Sequence, residues 1–273
     1  MIAMIALLAM TAAIPAGVAP SAETAKAFDD YVATVEQQIR REESAVGSFV
    51  ILPPAATAGR EAAFRGGEVL VEQRGITPAE ITGGLIHHWV GTVFIPNATV
   101  AQVLAIVQDY DHLTRSYAPE VMASRLISRK GDDFHISLRT RDQKVVTVVL
   151  DSEYQVHYGR LDVAHQFSIS RSVRVSEIAD AGSPREHAVG DAESHGYLWR
   201  LNSYWKFVQA SDGVIVQCEA ISLTRIVPTG LGWLIAPLVR EIPGESLKAT
   251  LSATRDAVVA RVRLEHSAQT EDK

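Results

Sequence analysis

The sequence predicts an α+β domain: a curved antiparallel sheet of about seven strands wrapped around one long C-terminal helix, with a helical extension at the N-terminus. Three observations carry this. Tyr197–Phe207 and Val214–Arg225 are long runs of strand-forming residues joined by the short polar connection Gln209-Ala210-Ser211-Asp212-Gly213. Four more strand-like runs precede them in quick succession. An amphipathic helical pattern from Pro243 to Glu265 closes the chain. Successive hairpins feeding a single helix favour a sheet that curls around it.

The elements follow in order. Phe28–Val46 reads as a helix, since Phe28, Tyr31, Val35, Ile39 and Val46 recur at helical steps opposite Glu36, Arg40 and Glu43. Pro53-Pro54 ends it, and Ala55–Gly67 reads as loop. Glu68–Arg74 alternates weakly, as a short extra strand would, and Gly75–Gly84 is a turn region. Leu85–Ile95 is a strand closed by Pro96. Ala98–Val107 is a helix with Val100, Val103, Leu104 and Val107 on one face and Asn97 or Thr99 as its cap. A short helix over Tyr110–Tyr117 precedes Pro119. Strands then fall at Val121–Arg129, Asp133–Arg141, Lys144–Tyr158, Ala164–Ile178, His195–Phe207 and Val214–Arg225, and Asp180–Ser194 is a surface loop. In the last helix Leu247, Leu251, Thr254, Val258 and Val262 form one stripe flanked by alanines that let it lie close to a sheet.

Bulk properties narrow the function. The chain has 273 residues, 47% hydrophobic and 21% charged, ordinary for a globular protein. Its formal charge of −6 and the lack of a basic, aromatic-interleaved stripe argue against nucleic acid as a partner. One cysteine, Cys218, allows no intrachain disulfide and reads as a small mid-strand side chain. Met1–Val18 carries no charge and is followed by the small residues Gly17-Val18-Ala19 and Pro20-Ser21-Ala22. This is the pattern of a cleaved secretory signal, which places the mature protein in the periplasm or outside the cell, although no Lys or Arg precedes the apolar stretch. The expected organisation is a signal peptide over 1–22, an N-terminal helix and extension over 23–75, the main domain over 76–266 and a flexible tail over 267–273.

A sheet gripping one helix encloses volume, and an apolar void of roughly 300–1,000 Å³ would cost about 7–24 kcal/mol if it stayed empty. Such a space is partly polar and wet, or filled by a ligand. One parity of the first long strand carries Tyr197, Trp199, Leu201, Ser203, Trp205 and Phe207; the other carries Leu198, Arg200, Asn202, Tyr204 and Lys206. The next strand divides into Val214, Val216, Cys218, Ala220, Ser222, Thr224 and Ile215, Gln217, Glu219, Ile221, Leu223, Arg225. Alternation does not say which set is inside. The aromatic set is expected there; were the other inside, Arg200, Asn202 and Glu219 would grip a ligand head. The uncharged run Ile226–Val239, with Gly230, Gly232, Trp233 and Leu234, reads either as a buried connection or as a lid that touches a membrane or admits an apolar ligand. The candidate ligand-binding set is Trp199, Arg200, Asn202, Tyr204, Glu219, Trp233, Leu234, Leu247 and Leu251.

Other constellations carry little. His87 and His88 are adjacent on a strand, point to opposite faces and cannot readily share a metal. Asp109-Tyr110-Asp111-His112 reads as a polar loop, and Arg139, Arg141, Arg171 and Arg174 as a solvated sheet face. Gly244-Glu245-Ser246 lacks the second glycine of a nucleophile elbow, and Gly230-Leu231-Gly232 is too short for a phosphate loop. No cofactor or metal is expected.

The element order, together with Gly84-Leu85-Ile86-His87-His88-Trp89-Val90-Gly91, Gln108-Asp109-Tyr110-Asp111-His112, Leu198-Trp199-Arg200-Leu201-Asn202-Ser203-Tyr204-Trp205 and Pro228-Thr229-Gly230-Leu231-Gly232-Trp233, resembles the START-like (SRPBCC) superfamily and its helix-grip fold over about Leu85–Glu265. The resemblance is to uncharacterised bacterial members. It implies a hydrophobic cavity and not one activity. The expected function is binding, and transport, of a lipid or other hydrophobic small molecule. The alternative is a cyclase/dehydratase-like enzyme on a polyketide-like or aromatic substrate, with Arg200, Glu219 or a histidine moving protons. A protein-interaction role for the Phe28–Val46 helix is a third reading.

Overall fold

The computed structural model describes residues 19–43, 49–50, 52, 59–143, 147–190, 193–226 and 232–271, without the side chains of Glu43, 232–240 and 269–271. Met1–Val18 therefore lie outside the described residues. The elements run α1 (Ala22–Glu43), α2 (Glu61–Arg65), β1 (Leu70–Gln73), β2 (Ala79–Ile81), β3 (Gly84–Pro96), α3 (Val100–Val107), α4 (Thr114–Tyr117), β4 (Val121–Lys130), β5 (Asp133–Asp142), β6 (Val148–Arg160), β7 (His165–Ala179), β8 (His187–Ala188), β9 (Arg200–Ala210), β10 (Gly213–Arg225) and α5 (Gly232–Glu271).

All strand pairings are antiparallel, in the order β1-β3-β10-β9-β7-β6-β5-β4, with β2 added beside β3 and β8 beside β7. Among the described residues the sheet thus has ten strands where about seven were expected. Seven are long; β2 and β8, of three and two residues, sit in stretches whose sequence reads as turn or loop, and the four-residue β1 falls in the weakly alternating Glu68–Arg74 read as a short extra strand. The α2 turn lies in a segment whose sequence also reads as loop, and it buries Phe64 against Phe94. Thr99 caps α3 through a reciprocal pair with Gln102.

The larger difference lies at the C-terminus. Helix α5 starts at Gly232, eleven residues before Pro243, and continues to Glu271. Residues 232–239 are thus helical rather than a lid loop; 227–231 lie outside the described residues. The stripe Leu247, Leu251, Thr254, Val258 and Val262 is buried as its period requires, against Trp89, Val93 and Val216 of the inner sheet face. Contact is closest where side chains vanish: a Cβ on Gly91 would come within 2.4 Å of Leu251, and one on Gly244 within 2.6 Å of the Trp89 ring.

Helix α1 lies on the opposite, outer face of the sheet. Phe28, Val32 and Ile39 pack with Ile86, Tyr204, Ile221 and Leu223. Polar ties fix it there. Tyr204 donates to Glu36 Oε1 at 2.9 Å, Lys206 Nζ meets Glu42 Oε2 at 2.7 Å, and Thr24 donates to the Thr82 carbonyl at 2.7 Å. Both faces of β3 are consequently covered, and twelve of its thirteen residues are buried.

Candidate functional site

Between the inner sheet face, α3–α4 and α5 lies a cavity of about 860 Å³, toward the upper end of the range for ligand sites. The inner parity is the aromatic one. Leu201, Ser203, Trp205 and Phe207 of β9 line the cavity, as do Cys218, Ala220, Ser222 and Thr224 of β10. Ile136 and Leu138 of β5, Val156 of β6, Leu113 before α4 and Leu247 of α5 supply the aliphatic wall.

The polar groups inside are hydroxyls and one imidazole. Tyr110 and Tyr158 share a hydrogen bond of 2.7 Å, and Tyr117 meets Thr254 Oγ1 at 2.9 Å. Burial pushes the Tyr110 and Tyr117 phenols up to about 12 and Tyr158 well above its usual value, so all three stay protonated near neutrality. His87 is 1% exposed; its Nε2 lies 3.0 Å from Thr224 Oγ1 and its Nδ1 has no partner among the described residues. Burial lowers its pKa to about 4, so the ring is neutral at pH 7. Burial also pushes the Cys218 thiol far up, which leaves it unreactive. The formal charges in the lining are Glu120, Arg141, Asp142 and Arg225, at the end of the cavity where the exposed Gln143, His195 and Tyr197 form the mouth.

One side of that mouth hangs on a single carboxylate. Glu177 of β7, 6% exposed, accepts from Ser194 Oγ and from the backbone N–H groups of His195, Gly196 and Tyr197, and His195 Nδ1 lies 3.0 Å from it. Burial acts to raise its pKa, but the bonds from His195, Tyr197 and Ser194 outweigh this and hold it below the usual carboxylate value.

The structure divides the sequence-derived candidates. Leu247 lines the cavity. Leu251 is fully buried in the core beside it, packed at Gly91. Trp199 and Tyr204 pack under α1 on the outer face. Asn202, 6% exposed, bonds Tyr204 there. Glu219 Oε1 lies 2.6 Å from His88 Nε2, and His88 Nδ1 lies 2.9 Å from Tyr31 of α1. Arg200 shares this outward parity. These five residues therefore do not line the cavity. For the four of the polar parity the physical reason is that α1 covers that face and supplies partners there, so burying it outside the cavity costs little; Trp199, of the aromatic parity, precedes β9 and escapes its alternation. Trp233 and Leu234 lie in the first turn of α5, with side chains outside the described residues. Of the four strand arginines, Arg139, Arg171 and Arg174 pair with Asp151 and Glu186, Glu36, and Glu153, and only Arg141 reaches the cavity.

Sequence reasoning missed His87 and the tyrosines. The signal existed in β6, where Tyr154, Val156 and Tyr158 recur at period two, and in the alternation of His87 with Trp89 and Gly91 in β3. Tyr110 was hidden in a loop motif whose neighbours His112 and Asp109 pair in solvent. Among the described residues no three His, Cys, Asp or Glu side chains gather to hold a metal, and no helix is long and apolar enough to cross a membrane.

A β-strand, two short helices, six further long antiparallel strands and a helix packed across the concave face define the architecture. The fold is START-like. No protein-family model matches the chain, and no curated protein matches it. Solved structures similar to it include a protein from Thermus thermophilus, at 15% identity over 63% of this chain and 97% of that one, with a TM-score of 0.46. A STAR-related lipid transfer protein from Xanthomonas axonopodis matches at 19% identity over 72% and 99%, TM-score 0.42. The Zhui aromatase/cyclase from Streptomyces sp. R1128 matches at 15% identity over 65% and 96%, TM-score 0.44.

Proposed function

We propose that the protein binds a lipid or another hydrophobic small molecule in the cavity and acts as a carrier. The cavity itself carries this reading. At about 24 cal/mol per Å³, an empty apolar void of 860 Å³ would cost about 20 kcal/mol, above the roughly 5–15 kcal/mol that stabilises a typical domain. The space is therefore solvated through its mouth or occupied, and its aliphatic wall favours an apolar guest.

Polar side chains do converge in the interior, an arrangement expected of an enzyme. Their chemistry favours binding instead. The tyrosines hold their protons, and Arg200 and Glu219, the groups a proton-transfer mechanism would recruit, sit across the sheet. Among the described residues His87 is the one deeply buried imidazole in the lining, and no carboxylate there orients it as a base.

The test is extraction of the purified protein followed by mass spectrometry, with displacement of a fluorescent apolar probe by a panel of fatty acids and sterols. Ala220→Trp places an indole in the lumen and should abolish probe binding while leaving thermal stability unchanged or higher. Absence of any co-purifying molecule together with no binding across the panel would refute the carrier reading.

A further inference from the structure

The cavity is two-sided. On β5, β6 and α5 its wall carries the aliphatic Ile136, Leu138, Val156 and Leu247 beside the paired Tyr158, with Arg141, Asp142, Ser246 and Thr250 also in the lining. On β7, β9, β10 and β3 a polar track crosses the wall. Ser170 and Ser203 are directly opposed across β7 and β9. Ser203 opposes Ala220 of β10, so Ser222, two residues on, is its diagonal neighbour. Ser222 is in turn directly opposed to His87 of β3. All four residues line the cavity. From direct and diagonal cross-strand spacings the track is about 15–18 Å long.

These groups are not spent on the protein. Ser170, Ser203 and Ser222 make no side-chain hydrogen bond within the described residues, and Ser222 is only 6% exposed. Nδ1 of His87 is buried and also without a partner. Elsewhere in the same cavity the hydroxyls of Tyr110, Tyr158 and Tyr117 are paired. The three serine hydroxyls open onto the cavity without a protein partner among the described residues, so water or a guest supplies their hydrogen bonds, while His87 Nδ1 is sealed and unpaired at the end of the row. A saturated acyl chain carries its oxygens at one end and would leave the row dry.

We propose that the cavity selects an elongated hydrophobic molecule bearing two or more hydroxyl or keto oxygens along one edge, held against the Ser170–Ser203–Ser222–His87 track with its apolar edge on the β5–β6–α5 wall. A serine hydroxyl both donates and accepts, so the track takes either kind of oxygen. This rests on the cavity-binding reading above and adds the chemistry of the guest.

Cholanic, lithocholic and deoxycholic acids test it. They share one ring skeleton and one carboxylate, and carry none, one and two hydroxyls on the same face. Palmitic acid serves as the acyl-chain probe. Binding to the wild-type chain should tighten along the series by roughly three- to tenfold per hydroxyl. In the triple variant Ser170→Ala/Ser203→Ala/Ser222→Ala, shown to be folded by an unchanged thermal midpoint, the series should flatten while palmitic acid binds as well as before or better. Should the triple variant lose its fold, Ser203→Ala alone, expected to lose part of the increment, is read in the same way. Equal affinity along the series, a gradient that survives the substitutions, or tight binding of palmitic acid with none of the ring acids overturns the inference and leaves the cavity reading standing. If no probe, palmitic acid included, enters the wild-type cavity, the cavity reading falls and the inference with it.

Discussion

Replacing His87 by glutamine should remove a specific component of acid sensitivity. The imidazole is 1% exposed, bonded through Nε2 to Thr224, and its pKa falls from the usual 6.5 to about 4 because burial disfavours the cation. In the unfolded chain it titrates near 6.5. Between about pH 6.5 and pH 4 the unfolded state therefore binds the proton and the folded state does not, so stability rises with pH across that window and is lost as the medium is acidified through it. A difference of about 2.5 pKa units at 1.36 kcal/mol each gives about 3 kcal/mol, equivalent to roughly 5–10 °C in melting temperature for a chain of this size. The glutamine amide would keep a hydrogen bond to Thr224 and does not titrate. Urea unfolding of both proteins, measured from neutral pH to about pH 4, should show the wild type losing about 3 kcal/mol more than His87→Gln. Carboxylates such as Glu177 contribute equally to both curves and cancel. Parallel curves would mean that the ring takes up its proton inside the folded protein at an ordinary pH, and the dry, neutral histidine on which the cavity description relies would be wrong.

Three further outcomes follow from named contacts. Gly244→Ala improves helix propensity by about 1 kcal/mol but drives a methyl to 2.6–2.8 Å from three atoms of the buried Trp89 ring, an overpacking cost of about 1–3 kcal/mol; urea unfolding should show a net loss of up to about 2 kcal/mol, and a gain would show that α5 is not pressed on the sheet there. Glu42→Gln should cost about 3–5 kcal/mol, because it strands the Lys206 ammonium, whose side chain is 3% exposed, while Glu42→Gln/Lys206→Met should regain most of it; equal loss in both variants would contradict a charge-based attachment of α1. Glu177→Gln turns one acceptor oxygen into a donor facing backbone N–H groups, so amide hydrogen exchange at Gly196 and Tyr197 should accelerate by at least tenfold with the sheet core unchanged.

Much of the architecture was legible because each signal was local. Period-two alternation gave β10 to within one residue and placed β9 less closely, since it runs Arg200–Ala210 where His195–Phe207 was expected, and the stripe Leu247, Leu251, Thr254, Val258 and Val262 gave the buried face of α5. The early start of α5 was not legible: Gly232 and Pro237 are breaker residues and Pro243 reads as the start of the helix, yet the helix runs through all three, and at Gly244 the missing side chain is what admits Trp89. The short strands β2 and β8 escaped because two or three residues carry no period of their own; they exist by pairing to longer neighbours, whereas β1 showed as the weak alternation of Glu68–Arg74. His87 was hidden as half of a histidine pair, although the argument against a shared metal, that adjacent strand residues face opposite ways, is also the argument that sends one of the two into the cavity.

The misplacement of Arg200, Asn202, Tyr204 and Glu219 has a single cause. An alternating strand offers two readings when one face is taken to be solvent: polar side chains point to water, or they point into a site. Here neither face of the central strands is solvent. Asn202, Tyr204, Lys206, Gln217 and His88 are all buried on an outer face that α1 and its neighbours cover. Charged groups there are matched in pairs, Lys206 with Glu42 and Arg171 with Glu36, whereas the deep inner face carries hydroxyls and a neutral imidazole in place of charge. A buried charge needs a partner of opposite sign, and a helix fixed to the sheet provides one permanently. An unpaired hydroxyl can be left for a guest to satisfy, at a cost small enough for a folded protein to bear between ligands. The polarity that looked like a binding site is the attachment of α1, and the quieter serines opposite it are where the proposed ligand would find its contacts.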